Sequence, residues 1–146
     1  MWDGENTSEG RVYIYHGSAS GLNSTPAVIL DPTNVTNAQY GYDAATAGDV
    51  NGDGYSDVIV GARRDTGSTA AEGRVYVYHG SASGLNTTPV LILEPTNQSN
   101  SDFGVSISSA GDVNGDNYSD VIIGVFGWDG EATNEGRVYV YHGSAS

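Results

Sequence analysis

The chain of 146 residues contains no cysteine, so neither a disulfide nor a thiolate-bound metal can stabilise its fold. Basic residues are also scarce, because 5 lysine or arginine residues stand against 18 aspartates and glutamates, giving a net charge of -13. Such a chain repels phosphate backbones and anionic membrane surfaces. No apolar run reaches membrane-spanning length, and the opening residues MWDGENTSEG lack the features of a signal peptide. We therefore expect a soluble chain with no nucleic-acid partner and no membrane insertion.

Helical periodicity is missing throughout, whereas 21 glycines and many turn-forming dipeptides are typical of strands joined by tight turns. The run VIVGA from Val58 is continuous and apolar, and GRVYVYHG from Gly73 alternates with a period of two. Alternation puts the tyrosines of this segment on one face of a sheet and its valines on the other, where most should pack between sheets. The sequence predicts an all-β fold.

An internal repeat organises the chain. EGRVYIYHGSAS begins at Glu9, and EGRVYVYHGSAS begins at Glu72 and again at Glu135, so the period is 63 residues. A unit of this length suits a four-stranded antiparallel sheet, the blade of a β-propeller, with strands A to D in chain order. The predicted division is strands C and D of a partial blade in 1–39, a complete blade in 40–102, and strands A, B and C of a partial blade in 103–146.

Two acidic loops recur with the same period, GDVNGDGYSDVIVG in residues 48–61 and GDVNGDNYSDVIIG in residues 111–124. Side-chain oxygens at alternate positions in a tight loop can converge on a hard cation, and Ca²⁺ accepts six to eight oxygens. The predicted ligands of two Ca²⁺ ions are Asp49, Asn51, Asp53, the Tyr55 carbonyl and Asp57, and then Asp112, Asn114, Asp116, the Tyr118 carbonyl and Asp120. Asn117 replaces Gly54 and tolerates the same left-handed backbone. The alternative is that these aspartates only cap turns.

A family resemblance follows from these motifs. Tyr40-Gly41 and Phe103-Gly104 precede AGDVNGDGYSDVIVGA and AGDVNGDNYSDVIIGV, and GRVYVYHGSASGL follows the first copy. The pattern resembles FG-GAP repeats, the blades of integrin-α-type β-propellers, over essentially the whole chain. The resemblance implies calcium in the A–B loops, ligand binding through outward-facing loops, and extracellular or cell-surface use. The GAP element departs from the family pattern, reading Gly61-Ala62-Arg63 and Gly124-Val125-Phe126.

Propellers of this family normally have seven blades, whereas this chain has about two. An open pair of blades exposes sheet faces and edges that a closed ring would bury. We therefore expect the chain to assemble with itself head to tail, the C and D strands of one copy finishing the A and B strands of the next. Three chains would give six blades and four would give eight, with one copy of the duplicated strand C displaced at each junction. The competing reading is a fragment of a longer repeat array.

No catalytic constellation stands out. His16, His79 and His142 occupy one repeated position beside GSAS, which is typical of a structural residue at a strand end, and the best acids and bases are already assigned to metal. We therefore expect a non-enzymatic interaction or scaffold module. The alternatives are a lectin-like carbohydrate-binding propeller and an accessory domain cut from a larger extracellular hydrolase or adhesin.

Candidate residues for a protein or glycan ligand lie in the variable B–C loops, where blades differ most. Trp2 and Trp128 occupy matching loop positions, and Asp65 takes that place in the middle repeat. An exposed tryptophan can stack on a sugar ring, although packing or a local loop role is the favoured interpretation. Arg63 and Arg64 are the only adjacent basic pair in the chain.

Overall fold

The computed structural model describes residues 7–32, 35–95, 97–133 and 135–145 of the chain. Within these ranges it has strands and turns but no helix, so the predicted all-β fold is confirmed. The strands of every sheet run antiparallel. In chain order they are β1 (Val12–Ile14), β2 (Gly17–Ser18), β3 (Gly21–Leu22), β4 (Val28–Leu30), β5 (Tyr40–Gly48), β6 (Asp57–Ala62), β7 (Arg74–Tyr78), β8 (Leu91–Leu93), β9 (Phe103–Gly111), β10 (Asp120–Val125) and β11 (Arg137–Tyr141).

The middle of the chain forms a four-stranded sheet in the order β5-β6-β7-β8, hereafter the middle sheet. Its strand β6 is the continuous apolar run, and it is buried along nearly its whole length because both of its neighbours are strands and both sheet faces are covered. Strand β5 pairs with β6 from Tyr40 to Gly48 with two irregularities in register, which bend the strand. The predicted A-to-D strand order is present in this sheet.

Shorter sheets flank the middle sheet. The C-terminal sheet has the order β11-β10-β9 and lacks, among the described residues, the fourth strand that β8 provides in the middle sheet. On the other side β1 pairs with β4, and β2 with β3 forms a small hairpin between them. We keep the division into 1–39, 40–102 and 103–146 as a proposal, and the described strands lie within those bounds.

Adjacent sheets approach each other closely at two glycines, Gly61 and Gly104. A Cβ atom added to Gly61 would lie 2.3 Å from the carbonyl oxygen of Gly104, and one added to Gly104 would lie 2.6 Å from the Val75 side chain. Gly104 also has a φ of 81°, a left-handed conformation that favours glycine. The FG and GAP glycines of successive repeats therefore allow two sheets to approach each other to backbone contact.

Two apolar cores cover the two faces of the middle sheet. The core shared with the C-terminal sheet contains Ala47, Ile59, Val75, Val77, Phe103, Ile107, Val121, Ile123 and Val125. The core shared with the N-terminal strands contains Leu30, Tyr40, Val60, Ala62, Tyr76 and Tyr78, with Val12, Ile14 and Val28 packed against it. The three sheets are thus stacked face to face, in the manner of successive propeller blades.

The alternation of valine and tyrosine decides which faces meet. In β7 the valines contact the C-terminal sheet and the tyrosines contact the N-terminal strands. In β11 the tyrosines, Tyr139 and Tyr141, pack against the core shared with the middle sheet, while Val138 and Val140 are 60% and 48% exposed. Each tyrosine face therefore packs on the valine face of the preceding sheet. The expectation that most of these side chains pack between sheets holds for the middle sheet, where both faces are covered.

Buried tyrosine hydroxyls find partners within the second core. The hydroxyl groups of Tyr40 and Tyr78 lie 2.8 Å apart in a hydrogen bond, and the Tyr76 hydroxyl donates to the buried carboxylate of Asp65. Burial raises the pKa of Tyr40, Tyr76 and Tyr78 above the ordinary tyrosine value, because an ionised phenol in this core would be poorly solvated. These tyrosines are consequently neutral at physiological pH.

Candidate metal centre

The first acidic loop joins β5 to β6 and is organised by its own aspartates. Asp49 accepts backbone N–H groups through both oxygens, from Gly52 and Asp53 at Oδ1 and from Gly54 at Oδ2, with distances of 2.7, 3.0 and 2.8 Å. Asn51 Nδ2 donates to Asp53 Oδ2 at 2.9 Å, and Asp53 Oδ1 accepts the Tyr55 N–H. Successive side chains therefore fold inward over the loop backbone.

The second loop, between β9 and β10, repeats this arrangement bond for bond. Asp112 accepts the N–H groups of Gly115, Asp116 and Asn117 at 2.7, 3.0 and 2.9 Å. Asn114 donates to Asp116 at 2.8 Å. Asn117 has a φ of 72° where Gly54 has 87°, so the asparagine adopts the left-handed backbone that the sequence predicted. The two loops therefore have the same conformation and the same hydrogen bonds.

The last aspartate of each loop is fully buried at the start of the next strand. Asp57 accepts the N–H of Val50 at 2.9 Å through one oxygen and that of Gly80 at 2.8 Å through the other. Asp120 accepts from Val113 and Gly143 at 2.8 and 3.0 Å in the same way. Each buried carboxylate thereby ties its loop to the turn that follows the third strand of the sheet.

Within the part of the chain that the structure describes, no ion pair joins an arginine to either buried carboxylate. The chain contains no lysine, and the ion pairs of the described residues involve Arg11, Arg63 and Arg74 with other acids. Because an isolated buried charge is costly, a bound cation would compensate the negative charge that these loops concentrate.

The two loops also contact each other. Asp49 donates its backbone N–H to Ser119 Oγ at 3.1 Å and accepts the Ser119 N–H at its carbonyl oxygen at 2.9 Å. Ser144 donates to the Val50 carbonyl at 2.9 Å. Beside the first loop, the His79 ring nitrogen Nδ1 lies 3.2 Å from Asn51 Nδ2. The backbone of one loop is therefore supported by the sheet that follows it.

The donor chemistry of the loops fits a hard divalent cation. Each predicted set supplies three carboxylates, one amide oxygen and one backbone carbonyl, and no sulfur or imidazole, which matches the oxygen preference of Ca²⁺. Hydrogen bonds from the Asn51 side-chain amide and then from the Tyr55 backbone N–H lower the pKa of Asp53. Backbone hydrogen bonds, the one from Asn117 above all, lower the pKa of Asp112. Both carboxylates are therefore ionised at neutral pH. Among the described residues, no three histidine, aspartate or glutamate side chains converge as a metal cluster, because the carboxylates turn towards their own loop amides.

Three of the other predicted ligand residues, Arg63, Arg64 and Trp128, lie at the opposite end of the sheets, in the loops after β6 and β10. Trp128 packs against the first core, and the Arg137 guanidinium lies over its ring at 3.9 Å. Arg63 donates to Gln39 Oε1 at 2.7 Å and lies over the Tyr42 ring at 4.1 Å. Arg64 is exposed, and Trp2 lies outside the described residues. The structure thus does not gather these side chains around one open site.

Several residues that support the loops were not singled out from the sequence. Gly80, Gly143 and Ser119 reach the loops from distant parts of the chain, and only their recurrence at equivalent positions of the repeat could have suggested a shared role. Glu72 is fully buried and accepts bonds from Ser68 and Thr69, so this glutamate of the EGRVY motif caps the B–C loop.

Face-to-face antiparallel sheets, glycine contacts between inner strands and one oxygen-rich loop per repeat define the class of this protein, a β-propeller segment. The FG-GAP repeat model matches residues 40–78 and 103–141, more than half of the chain. The chain therefore belongs to the FG-GAP repeat family, and the resemblance found in the sequence is confirmed.

Relatives in the curated proteins are integrin alpha subunits. Integrin alpha-5 of Xenopus laevis is 33% identical over 147 residues, covering 99% of this chain and 14% of the relative. Integrin alpha-6 of Gallus gallus is 35% identical over 115 residues, which are 79% of this chain and 10% of the relative. Integrin alpha-8 of Homo sapiens is 32% identical over 138 residues, or 90% and 12%. This chain spans only a small part of these proteins. Its described residues include no helix of the length and apolarity needed to cross a membrane.

Proposed function

We propose that this chain is a non-enzymatic, calcium-binding segment of an FG-GAP β-propeller that serves as an interaction or scaffold module. The observation that carries the proposal is the pair of acidic loops, which present one oxygen set at the same place in two sheets. The similarity to integrin alpha subunits supports an extracellular or cell-surface setting and a role in binding.

Each loop would hold one Ca²⁺ ion, two per chain. The first set of ligands is the side chains of Asp49, Asn51, Asp53 and Asp57 with the Tyr55 carbonyl; the second is those of Asp112, Asn114, Asp116 and Asp120 with the Tyr118 carbonyl. The ion would neutralise part of the loop's negative charge and join the start of the loop to the buried aspartate at its end. Its role is to stabilise the sheet-to-sheet contacts, and the protein residues supply binding oxygens only.

Calorimetric titration with calcium chloride tests this assignment. The wild-type chain should bind two ions, whereas Asp53→Ala and Asp116→Ala should each bind one, because each removes a carboxylate from a different loop. Glu131→Ala is the matched control, since it removes an exposed acid outside both loops and should leave two sites. Two unchanged sites in both aspartate variants would contradict the ligand assignment.

We further propose that copies of the chain assemble head to tail into a closed ring of three or four chains, giving six or eight blades. The valine face of the C-terminal sheet is exposed at Val138 and Val140. In the ring these side chains would take the place of Val12 and Ile14 of β1, which pack on the tyrosine face of the middle sheet. The same two kinds of face are packed together between the sheets inside one chain. Heterologous contact between equivalent faces is a repeat-based route to closure.

A charge placed on the exposed valine face tests this assembly. Val140→Lys should reduce the solution mass measured by light scattering towards that of a monomer, because it puts an ammonium group into an apolar contact. Thr88→Lys is the control, since Thr88 is exposed in the connection between β7 and β8 and belongs to no strand. Equal masses for both variants and the wild type would contradict the proposal.

Ligand recognition by the propeller, of a protein or a glycan, is assigned to the loops after β6 and β10. Arg64 is the exposed basic residue there, while Arg63 is already engaged by Gln39 and Tyr42. We do not extend the proposal to sugar stacking by Trp128, because its ring is covered by Arg137 and packs against the core.

A further inference from the structure

The outer edge of β11 is unpaired among the described residues, although the strand belongs to a three-stranded sheet. Strand β11 pairs with β10 along five residues on its other side, from Arg137 to Tyr141. The equivalent strand of the middle sheet, β7, has the additional partner β8. An unpaired edge of this length presents free backbone N–H and C=O groups to any strand of suitable sequence.

A groove of about 470 Å³ lies next to this edge. Val77, Leu91 and Leu93 line it from the middle sheet, and Val121 and Tyr141 line it from the C-terminal sheet. In the middle sheet the outer strand carries an isoleucine, Ile92, opposite the central tyrosine of β7. A strand added to β11 in the same register would place its middle side chain on the tyrosine face, which borders this groove.

The chain contains a strand that fits this register. β4 pairs with β1 through Val12↔Leu30, Tyr13↔Ile29 and Ile14↔Val28, just as β8 pairs with β7 through Val75↔Leu93, Tyr76↔Ile92 and Val77↔Leu91. β11 repeats the sequence of β1 and β7, so β4 would pair with it through Val138↔Leu30, Tyr139↔Ile29 and Val140↔Val28. Ile29, 45% exposed in its own chain, would then face the groove.

An arginine at the start of each third strand provides the charge complement. Arg74 donates to Glu94 after β8, and Arg11 donates through Nε to Asp31 after β4 at 3.0 Å. Arg137 occupies the equivalent place, but within the described residues no carboxylate pairs with it and its guanidinium lies over Trp128. Among the described residues, the C-terminal sheet therefore has no equivalent of Asp31 or Glu94 to pair with its arginine.

We infer that strand Val28–Leu30 of a second copy of this chain completes the C-terminal sheet as its fourth strand, and that Asp31 of that copy pairs with Arg137. The inference rests on the proposed head-to-tail assembly and specifies its junction. The second copy is the occupant because its strand matches β11 in register, in the side chain that meets the groove and in charge.

At the junction β1 and β11 compete for the same partner, β4, and the contacts of the two strands indicate that β1 is the one displaced. β1 is held by three ladder pairs with β4 and, just before it, by the bridge between Gly10 and Tyr40. β11 is held by five ladder pairs with β10 and by the stacking of Arg137 on Trp128. When β11 replaces β1 beside β4, the three ladder pairs of β1 are lost and three equivalent pairs of β11 form. The ion pair of Arg11 with Asp31 is likewise replaced by that of Arg137 with Asp31. The exchange also buries Val138 and Val140 in the way that Val75 and Val77 are buried, at 0% and 6% exposure.

Complementary charge reversal tests the junction. Asp31→Arg opposes two arginines at every junction, and Arg137→Asp opposes two aspartates, so each variant alone should associate about tenfold more weakly or worse. The double variant Asp31→Arg with Arg137→Asp joins opposite charges at every junction, in a ring of three chains or of four, and should recover the wild-type mass. Arg64→Asp and Glu131→Arg are the controls, because they make the same charge changes at exposed sites away from the junction and should keep the wild-type mass.

The outcomes separate this inference from the assembly on which it rests. If the wild type forms a ring and Arg137→Asp forms it equally well, the assigned ion pair and strand are wrong while the assembly stands. If both single variants fail and the double variant also fails, charge at these two positions does not specify the junction, and the inference is overturned. A wild type that is monomeric at all concentrations overturns both. Recovery in the double variant also demonstrates that both substitutions are compatible with folding.

Discussion

Asp57 is predicted to stabilise the fold in two ways that one experiment can separate. Its carboxylate is fully buried and accepts one backbone N–H at each oxygen, from Val50 at 2.9 Å and from Gly80 at 2.8 Å. Alanine would leave both donors without an acceptor, and an unpaired buried donor costs about 1–3 kcal/mol. Asp57→Ala should therefore lower the free energy of unfolding by about 2–6 kcal/mol even without calcium. For a chain of this size that is on the order of 6–20 °C in Tm.

Calcium adds the second contribution. An ion present at a hundred times its Kd and bound only to the folded state stabilises it by about 2.7 kcal/mol. Because Asp57 is a predicted ligand of the first loop, Asp57→Ala should also lose the calcium-dependent stabilisation that this loop contributes. Asp53, in contrast, is exposed and bonds only within its own loop, so Asp53→Ala should lose the calcium-dependent part and little else.

The assay is urea unfolding of the wild type and both variants, with excess calcium and then with chelator, and with Glu131→Ala as the control. In chelator the expected order of stability places Asp57→Ala well below the other three chains, which should be similar. If Asp57→Ala and Glu131→Ala unfold together in chelator, the two backbone bonds do not carry the assigned free energy. If calcium stabilises Asp53→Ala as much as it stabilises the wild type, the ligand role of Asp53 is wrong.

Two further predictions concern the cores. Phe103→Ala should cost about 3–5 kcal/mol because its side chain is fully buried between two sheets, whereas Phe126→Ala, at a site 70% exposed, should cost far less; similar urea midpoints would contradict the assigned packing. Burial raises the pKa of Tyr40, Tyr76 and Tyr78, so the unfolded chain loses these protons first, near pH 10. Stability should be retained below that pH and fall above it by up to about 1.4 kcal/mol per pH unit for each tyrosine. Unfolding at pH 9 to 11 should show this fall, with a shallower slope for Tyr78→Phe; a flat wild-type profile would contradict it.

Strand positions were predictable from the sequence because the signals are local. The alternating run from Arg74 to Tyr78 and the apolar run from Val58 each coincide with a strand of the middle sheet. The repeat then extends the assignment to the C-terminal sheet, where the acidic loop again lies between the first two strands. The left-handed backbone at Asn117 was predictable for the same reason, since glycine holds the equivalent place.

Long-range contacts were not predictable, because nothing in a local pattern reports them. Asp65 is acidic and lies in a loop, which favours exposure, yet it is fully buried and accepts a bond from the Tyr76 hydroxyl. Alternation put tyrosine and valine on opposite faces of β7 but did not say which face meets which neighbouring sheet. The ties from Gly80 and Gly143 to the buried aspartates likewise appear only once the sheets are assembled.

Light scattering on the wild-type chain, in calcium and then in excess chelator, tests most directly whether calcium-loaded blades close into a ring. We expect a discrete mass of three or four chains in calcium and a smaller mass when the ion is removed, because the loops proposed to bind it support the contacts between sheets. A monomer of unchanged mass in both conditions would contradict the proposal that calcium-loaded blades close into a ring.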